Sequence, residues 1–229
     1  MQLVTEVRRR DFMATNRGGG LYSEAVSQPI GSAIAFAAAR LGLRPTTLTL
    51  TNLVLCLAAS VTVVLLPTGG WPVGVLALVA WQLAYAFDCA DGQLARVTGR
   101  TSAAGARLDV LCDVAAQIGL VSALSAMTAA YRPATPTWVF AAFAGTWMVN
   151  LVTSVMQSGP HAASMVASRS LPVRVVKLVR DYGAVVLVCG LVLTFAPQWT
   201  IVAIGLFGAV NALFLLASIA FAARRSLAG

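Results

Sequence analysis

Six long apolar runs divide this chain, and they constrain its fold more than any other feature. Each run reaches or approaches the roughly 20 residues that a helix needs to cross a bilayer core. Because a spanning segment must satisfy its backbone hydrogen bonds internally, runs of this kind predict α-helices. The predicted spans are 46–66, 71–90, 103–131, 137–157, the stretch from the basic residues after Pro172 to Ala196, and 199–223.

Composition excludes an ordinary soluble domain, since 59% of the residues are hydrophobic and 10% are charged. The net charge of +8 does not predict nucleic-acid binding, because the basic residues lie between apolar runs and are better explained by a membrane. The cysteines lack the spacing of zinc ligands, and we interpret them as small packing residues. They are Cys56, Cys89, Cys112 and Cys189.

Two segments precede the first span. Residues 1–20 are polar, with Arg8–Arg10 and a glycine run, and predict a flexible cytoplasmic arm that touches anionic membrane lipid. Residues 21–44 carry apolar side chains at helical spacing among polar ones, which predicts an amphipathic helix at the membrane interface. The predicted fold is therefore an all-α integral membrane protein, with a six-helix transmembrane catalytic domain over 45–229.

The cationic side chains predict the orientation. With the N-terminus inside, all of the 16 lysines and arginines except Arg132 fall on the cytoplasmic side, as the positive-inside rule requires. Both termini and the loop after the second span are then cytoplasmic. Arginine dominates these cations, which is typical of a GC-rich bacterial genome and favours a bacterial plasma membrane.

Four of the eight acidic residues lie between positions 88 and 113. Asp88 and Asp91 are spaced i, i+3, and Asp109 and Asp113 are spaced i, i+4, so each pair projects from one face of a helix. One such pair would be typical of a charged turn between helices. Two facing pairs form a carboxylate cluster whose repulsion a cation relieves, and oxygen-only ligands favour Mg²⁺ or Mn²⁺.

The surrounding residues form a longer pattern. It is Asp88-x2-Asp91-Gly92-x2-Ala95-Arg96-x8-Gly105-x3-Asp109-x3-Asp113. This pattern resembles the signature of the CDP-alcohol phosphotransferase (CDP-alcohol phosphatidyltransferase) family, with every fixed position present. The resemblance covers most of the chain, although its specific part is 88–113. It implies six spans, an N-terminal interfacial helix, a cytoplasmic site with two Mg²⁺ or Mn²⁺ ions, and a homodimer.

The same resemblance implies a role for each acid. Asp88, Asp91 and Asp109 bind metal, whereas Asp113 is partly a metal ligand and also the catalytic base on the acceptor hydroxyl. The attack falls on the β-phosphorus of a CDP-linked donor, and CMP leaves.

The resemblance also implies a CDP site at Gly92, Ala95, Arg96 and Gly105. Glycine and alanine let the backbone approach a nucleotide closely, and an arginine fork pairs well with phosphate. Ser102 either reaches the nucleotide or caps the third span, and we favour the cap.

The chain departs from the family in one place. Many members carry Pro-Asn-x-x-Thr before the first span, whereas this chain has Thr46 where the asparagine would stand. Thr46 is therefore in doubt as a nucleotide contact. Thr49, which matches the final threonine, is a candidate CDP contact or a locally bonded helix residue.

The predicted cytoplasmic loop 158–181 is strongly basic. Its cations are Arg169, Arg174, Lys177 and Arg180. The last three recur every third residue and share roughly one helical face, which favours an anionic acceptor. Orientation and anionic lipid explain the same cations equally well. Family members that use phosphorylated acceptors are similar in having cations here, so the resemblance favours inositol phosphate or glycerol phosphate.

The predicted function is therefore metal-dependent transfer of a substituted phosphate from a CDP-linked donor to a polyol phosphate, in phospholipid biosynthesis. CDP-diacylglycerol is the favoured donor. A soluble CDP-polyol donor and a non-phosphorylated acceptor are alternatives. A small cation transporter is an alternative from another class, but the clustering of the acids at one membrane edge argues against an ion path.

Overall fold

The computed structural model describes residues 7–16, 20–156, 178 and 181–228. These residues form eight α-helices and no strand, so the all-helical prediction is confirmed. The helices are α1 (Arg9–Ala14), α2 (Gln28–Arg40), α3 (Pro45–Leu65), α4 (Gly70–Val97), α5 (Ala103–Tyr131), α6 (Thr137–Met156), α7 (Tyr182–Phe195) and α8 (Thr200–Ala228). A π-helical turn, Ser23–Ser27, leads into α2, and a 3-10 turn, Pro197–Trp199, leads into α8.

Proline and glycine set the helix boundaries nearest the acidic residues. Arg44 is extended before Pro45, as residues before proline are, and Pro45 opens α3. Helix α4 ends where Gly99 takes a φ of 66°, and Arg100 N donates to the Ala95 carbonyl at 2.9 Å. This Schellman ending returns the chain toward the start of α5.

Four helical segments are long and apolar enough to cross a membrane: α3, α4, α5 and Pro197–Arg224. Two shorter apolar helices, Thr137–Val149 and Tyr182–Phe195, accompany them among the described residues. The count of six spans therefore stays a prediction. Helix α4 continues to Val97, beyond the predicted end of the second span near Ala90, so the first pair of acids lies on a helix and not in a loop.

The core joins all the long helices. Helix α4 lies at its centre, packed against α2, α3 and α7, while α5 packs on α3 and α6 packs on α8. Trp81 is buried in this core and donates to Ser60 Oγ at 3.1 Å. Trp147 donates to Gln117 Oε1 at the same distance. Each indole thus satisfies its N–H inside an apolar interior.

Helices α4 and α7 approach closely at two glycines. A Cβ added at Gly74 would lie 2.4 Å from Thr194 Cα, and one at Gly190 would lie 2.9 Å from Leu78 Cα. Small residues at such crossings let backbones come together where lipid provides no hydrophobic driving force. This contact fixes α7 against the helix that carries Asp88 and Asp91.

The N-terminal segment differs from the prediction of a flexible arm over 1–20. Residues 9–14 form α1, and Phe12 is fully buried with α2, α3 and α4 residues. Asp11 Oδ2 accepts from Arg8 N at 2.7 Å and caps this helix. One aromatic anchor and one cap therefore give structure to a stretch whose composition is polar. Helix α2 lies within the 21–44 segment, and the amphipathic helix predicted there at the membrane interface stays a prediction.

Candidate active site

The ends of α4 and α5 bring the acidic residues together. One carboxylate oxygen each from Asp88, Asp91 and Asp109 lies within 4.8 Å of the others. Asp113 lies one helical turn beyond Asp109 and lines a small cavity together with Asp88. The helical spacing read from the sequence thus places all four acids in one cluster.

This cluster has the chemistry of a divalent-cation site. Its three mutually close groups offer oxygen atoms, which suit hard cations. Asp109 Oδ1 is buried and accepts no hydrogen bond from the described residues. A buried carboxylate oxygen without a donor is costly, and a cation would compensate it. The residues present therefore fit Mg²⁺ or Mn²⁺.

Helix α3 supplies polar contacts to the acids of α4. Thr49 Oγ1 donates to Asp91 Oδ2 at 2.5 Å, and Asn52 Nδ2 donates to Asp88 Oδ1 at 3.3 Å. Thr49 was predicted as a CDP contact or a locally bonded helix residue; its hydroxyl bonds to Asp91, and the CDP contact stays a prediction. The bond from Asn52 joins α3 to α4 at Asp88.

A cleft of about 200 Å³ opens beside the cluster. It is lined by Pro45, Thr46, Thr49, Asp91, Gly92, Ala95, Arg96, Arg100, Thr101, Ser102, Gly105, Ala106 and Asp109. Every residue predicted to contact CDP therefore lies on the wall of this cleft. Thr46, which the sequence left in doubt, lies there too.

Two glycines in the wall of the cleft lie close to neighbouring side chains. A Cβ at Gly92 would lie 2.9 Å from Arg96 Nη1, so the bare backbone leaves room for the guanidinium. The Gly105 N–H donates to Ser102 Oγ at 3.0 Å, which confirms Ser102 as the N-cap of α5. The cleft combines the Arg96 guanidinium, small residues and the N-terminus of α5. These features suit a phosphate-bearing ligand.

A second, much smaller cavity of about 10 Å³, here called the inner cavity, lies beside Asp88 and Asp113. It is lined by Asn52, Cys56, Trp81, Ala84, Tyr85, Asp88, Asp113, Ala116, Leu120 and Tyr182. Sequence reasoning missed Tyr85 and Tyr182 in this wall. The signal for Tyr85 was its position one turn before Asp88. For Tyr182 the sequence shows no local signal, because it comes from a distant helix.

The cations predicted to bind the acceptor phosphate lie outside the described residues. They are Arg169, Arg174, Lys177 and Arg180.

Comparison with protein families identifies the chain. The model of the family described as CDP-alcohol phosphatidyltransferase matches residues 43–223, which is most of the sequence. The chain belongs to the CDP-alcohol phosphatidyltransferase family. A search among curated proteins gives no significant match.

Membership in the CDP-alcohol phosphatidyltransferase family confirms the resemblance found in the motif, and it makes the chain a member of a transferase family that uses a CDP-alcohol donor. Together with the four long apolar helices, it indicates an integral membrane protein. The match begins at residue 43, so α1, the π-helical turn and α2 precede the part of the chain that the family model covers.

Proposed function

We propose that this protein transfers a substituted phosphate group from CDP-diacylglycerol to the hydroxyl of a polyol phosphate, inositol phosphate or glycerol phosphate, and releases CMP. The observation that carries the proposal is the position of the acid cluster. Oxygens of Asp88, Asp91 and Asp109 lie within 4.8 Å of one another, and two of these acids border the cleft that holds Arg96.

In this proposal Asp88, Asp91, Asp109 and Asp113 hold two Mg²⁺ or Mn²⁺ ions. When bound, such ions stabilise the negative charge that develops on the phosphate oxygens. Thr49 and Asn52 orient two of the carboxylates through the hydrogen bonds that they donate. Arg96 pairs with a phosphate of the donor, while Gly92, Ala95 and Gly105 let the nucleotide approach the backbone.

Asp113 acts as the general base. It accepts the proton of the acceptor hydroxyl, whose oxygen then forms a bond to the β-phosphorus of the donor. The bond from that phosphorus to the CMP oxygen breaks, and CMP leaves with the electron pair. Asp113 suits this role because it lies one helical turn from Asp109 and lines a cavity together with Asp88, which keeps a basic carboxylate beside the acids that would hold the metal.

The acceptor is proposed on sequence grounds. Arg169, Arg174, Lys177 and Arg180 provide a basic stretch that would bind the phosphate of a polyol phosphate. In the proposed orientation the site faces the cytoplasm, where a soluble polyol phosphate is available, and the lipid donor enters from the bilayer. A homodimer in a bacterial plasma membrane completes the proposal.

The test is an acceptor screen with the purified full-length protein. CDP-diacylglycerol and Mg²⁺ are combined in turn with glycerol 3-phosphate, inositol 1-phosphate, free inositol and serine, and the lipid product is identified by mass spectrometry. We expect a phosphatidyl polyol phosphate and stoichiometric CMP. A product with free inositol or serine would refute the phosphorylated acceptor, and turnover with soluble CDP-glycerol alone would refute the lipid donor.

A further inference from the structure

We propose that Ser23 and Asp181 are positioning residues for the acid cluster. They act through Tyr85 and Tyr182, which form part of the wall of the inner cavity beside Asp88 and Asp113. The inference rests on the proposed function, since it assumes that the cluster binds a divalent cation. It adds Ser23, which precedes the first residue of the family match at position 43, to the machinery of the site.

Asp181 bonds to a distant segment and not to its own helix. It is an N-cap residue of α7, where an aspartate ordinarily accepts a hydrogen bond from its own helix, yet its side chain makes no such bond. It is 4% exposed, and its carboxylate instead accepts from both the backbone N–H, at 3.0 Å, and the hydroxyl of Ser23. A buried carboxylate thus stabilises a segment 158 residues away in sequence.

The hydrogen bonds that link Tyr85, Ser23 and Asp181, here called the hydroxyl chain, have a fixed direction. Ser23 Oγ has a single proton, which it donates to Asp181. The contact of 2.8 Å between Ser23 Oγ and the Tyr85 hydroxyl must therefore use the Tyr85 proton. The chain runs from Tyr85 through Ser23 to Asp181 and ends on a charged acceptor, which makes it stronger than a neutral chain.

A second pair of hydrogen bonds, here called the parallel bridge, joins the same N-terminal segment to α7 through Gln82. Tyr22 OH donates to Gln82 Oε1 at 2.9 Å, and Gln82 Nε2 donates to the Gly183 carbonyl at 3.1 Å. Burial, and then the Asp181 carboxylate, raise the pKa of Tyr22, so its phenol stays protonated as the donor. Gln82 does not line the inner cavity. This bridge therefore anchors the segment without contacting the cavity wall.

The hydroxyl chain does contact that wall. Tyr85 lies one turn before Asp88 on α4, and its ring packs edge to face against Tyr182, with centroids 5.1 Å apart. A Cβ at Gly183 would lie 2.8 Å from Tyr85 Cε1 and 2.9 Å from Tyr22 Cδ1, so the backbone of α7 closes on these rings. The hydrogen bond to the Tyr85 hydroxyl therefore fixes the Tyr85 ring, which lines the inner cavity together with Asp88 and Asp113.

Mn²⁺ binding by the purified full-length protein, measured by the electron paramagnetic resonance signal of free Mn²⁺, tests the inference without turnover. Ser23→Ala and Tyr85→Phe each remove one hydroxyl of the hydroxyl chain. Each is expected to raise the Mn²⁺ dissociation constant about tenfold, the lower end of the range for residues that orient metal ligands. The double variant is expected to bind no more weakly than either single variant. Tyr22→Phe, which breaks the parallel bridge, is the matched control and should bind within about twofold of wild type.

The outcomes separate the two claims. If wild type binds Mn²⁺ and the Ser23 and Tyr85 variants bind as Tyr22→Phe does, the positioning role is refuted while the proposed function stands. If the effects of Ser23→Ala and Tyr85→Phe add in full, the two residues do not act as one chain and the inference is also refuted. If wild type binds no Mn²⁺, the proposed metal site itself is refuted. If Ser23→Ala does not fold, Tyr85→Phe, which keeps the aromatic ring, carries the same test.

Discussion

The Thr49 hydroxyl on α3 donates a hydrogen bond of 2.5 Å to the Asp91 carboxylate on α4. Both side chains are buried, at 5% and 6% exposure, so water does not compete for the bond. A carboxylate held in this way presents its remaining lone pairs in one direction. This contact ties the helix before the motif to the motif itself.

Thr49→Val replaces the hydroxyl with a methyl group of similar volume and leaves Asp91 without this donor. We expect the Mg²⁺ concentration for half-maximal CMP release to rise about tenfold, because loss of a partner that orients a metal ligand weakens metal binding. The control is Thr51→Val, whose hydroxyl bonds to the Thr47 carbonyl of its own helix. An unchanged Mg²⁺ dependence in Thr49→Val would show that the bond does not orient a ligand.

Gly92→Ala adds a methyl group 2.9 Å from Arg96 Nη1. The guanidinium must move away from the position in which we propose that it pairs with the donor phosphate. We expect the KM for CDP-diacylglycerol to rise about tenfold, equivalent to roughly 1.4 kcal/mol of binding, with a smaller change in the KM for the acceptor. Gly145→Ala is the control, since a Cβ there meets nothing within 4 Å. Equal donor KM values in the two variants would contradict the role of Arg96.

Asp113→Asn keeps the size of the side chain and removes its basicity. Because general bases contribute about 10²–10⁴-fold to rate, we expect the rate of CMP release to fall by at least about a hundredfold, and by more if metal binding is weakened as well. Asp11→Asn, at an acid on α1 far from the cluster in sequence, should be fully active. An Asp113→Asn variant within tenfold of wild type would assign the base to another residue.

The sequence predicted the acid cluster because helical spacing is a local property. Asp88 and Asp91, like Asp109 and Asp113, share a helix face whatever the rest of the chain does. The eight residues between Arg96 and Gly105 are enough for the Schellman turn at Gly99, so the two pairs meet. Helix types and most boundaries followed from apolar length and from Pro45 in the same way.

The sequence could not predict contacts that depend on how helices pack. Tyr182 lines the inner cavity with Asp88 and Asp113 because Gly74 and Gly190 let α7 pack against α4. The local sequence carries no signal for Ser23, because its role depends on the contact with Asp181. Helix α1 was missed because a single apolar residue, Phe12, stabilises it through tertiary burial, and such a helix carries no periodic signal.

Gly74→Ala tests the packing that places α7. The added Cβ would lie 2.4 Å from Thr194 Cα, so the two backbones must separate. Overpacking of this kind costs about 2 kcal/mol, and we expect a lower Tm in detergent together with weaker Mn²⁺ binding. Gly205→Ala, at an open position in α8, should leave Tm unchanged or slightly higher, since alanine favours helix over glycine. A Gly74→Ala protein as stable as wild type would contradict the close crossing.

The metal dependence of CMP release tests the central claim most directly. Purified protein is incubated with CDP-diacylglycerol and glycerol 3-phosphate or inositol 1-phosphate, first with a chelator and then with Mg²⁺ or Mn²⁺ restored. We predict no CMP with the chelator, full release once either ion is added, and no recovery in Asp91→Asn. Release of CMP that persists in the chelator, or that Asp91→Asn retains in full, would contradict an acid cluster that works by holding metal.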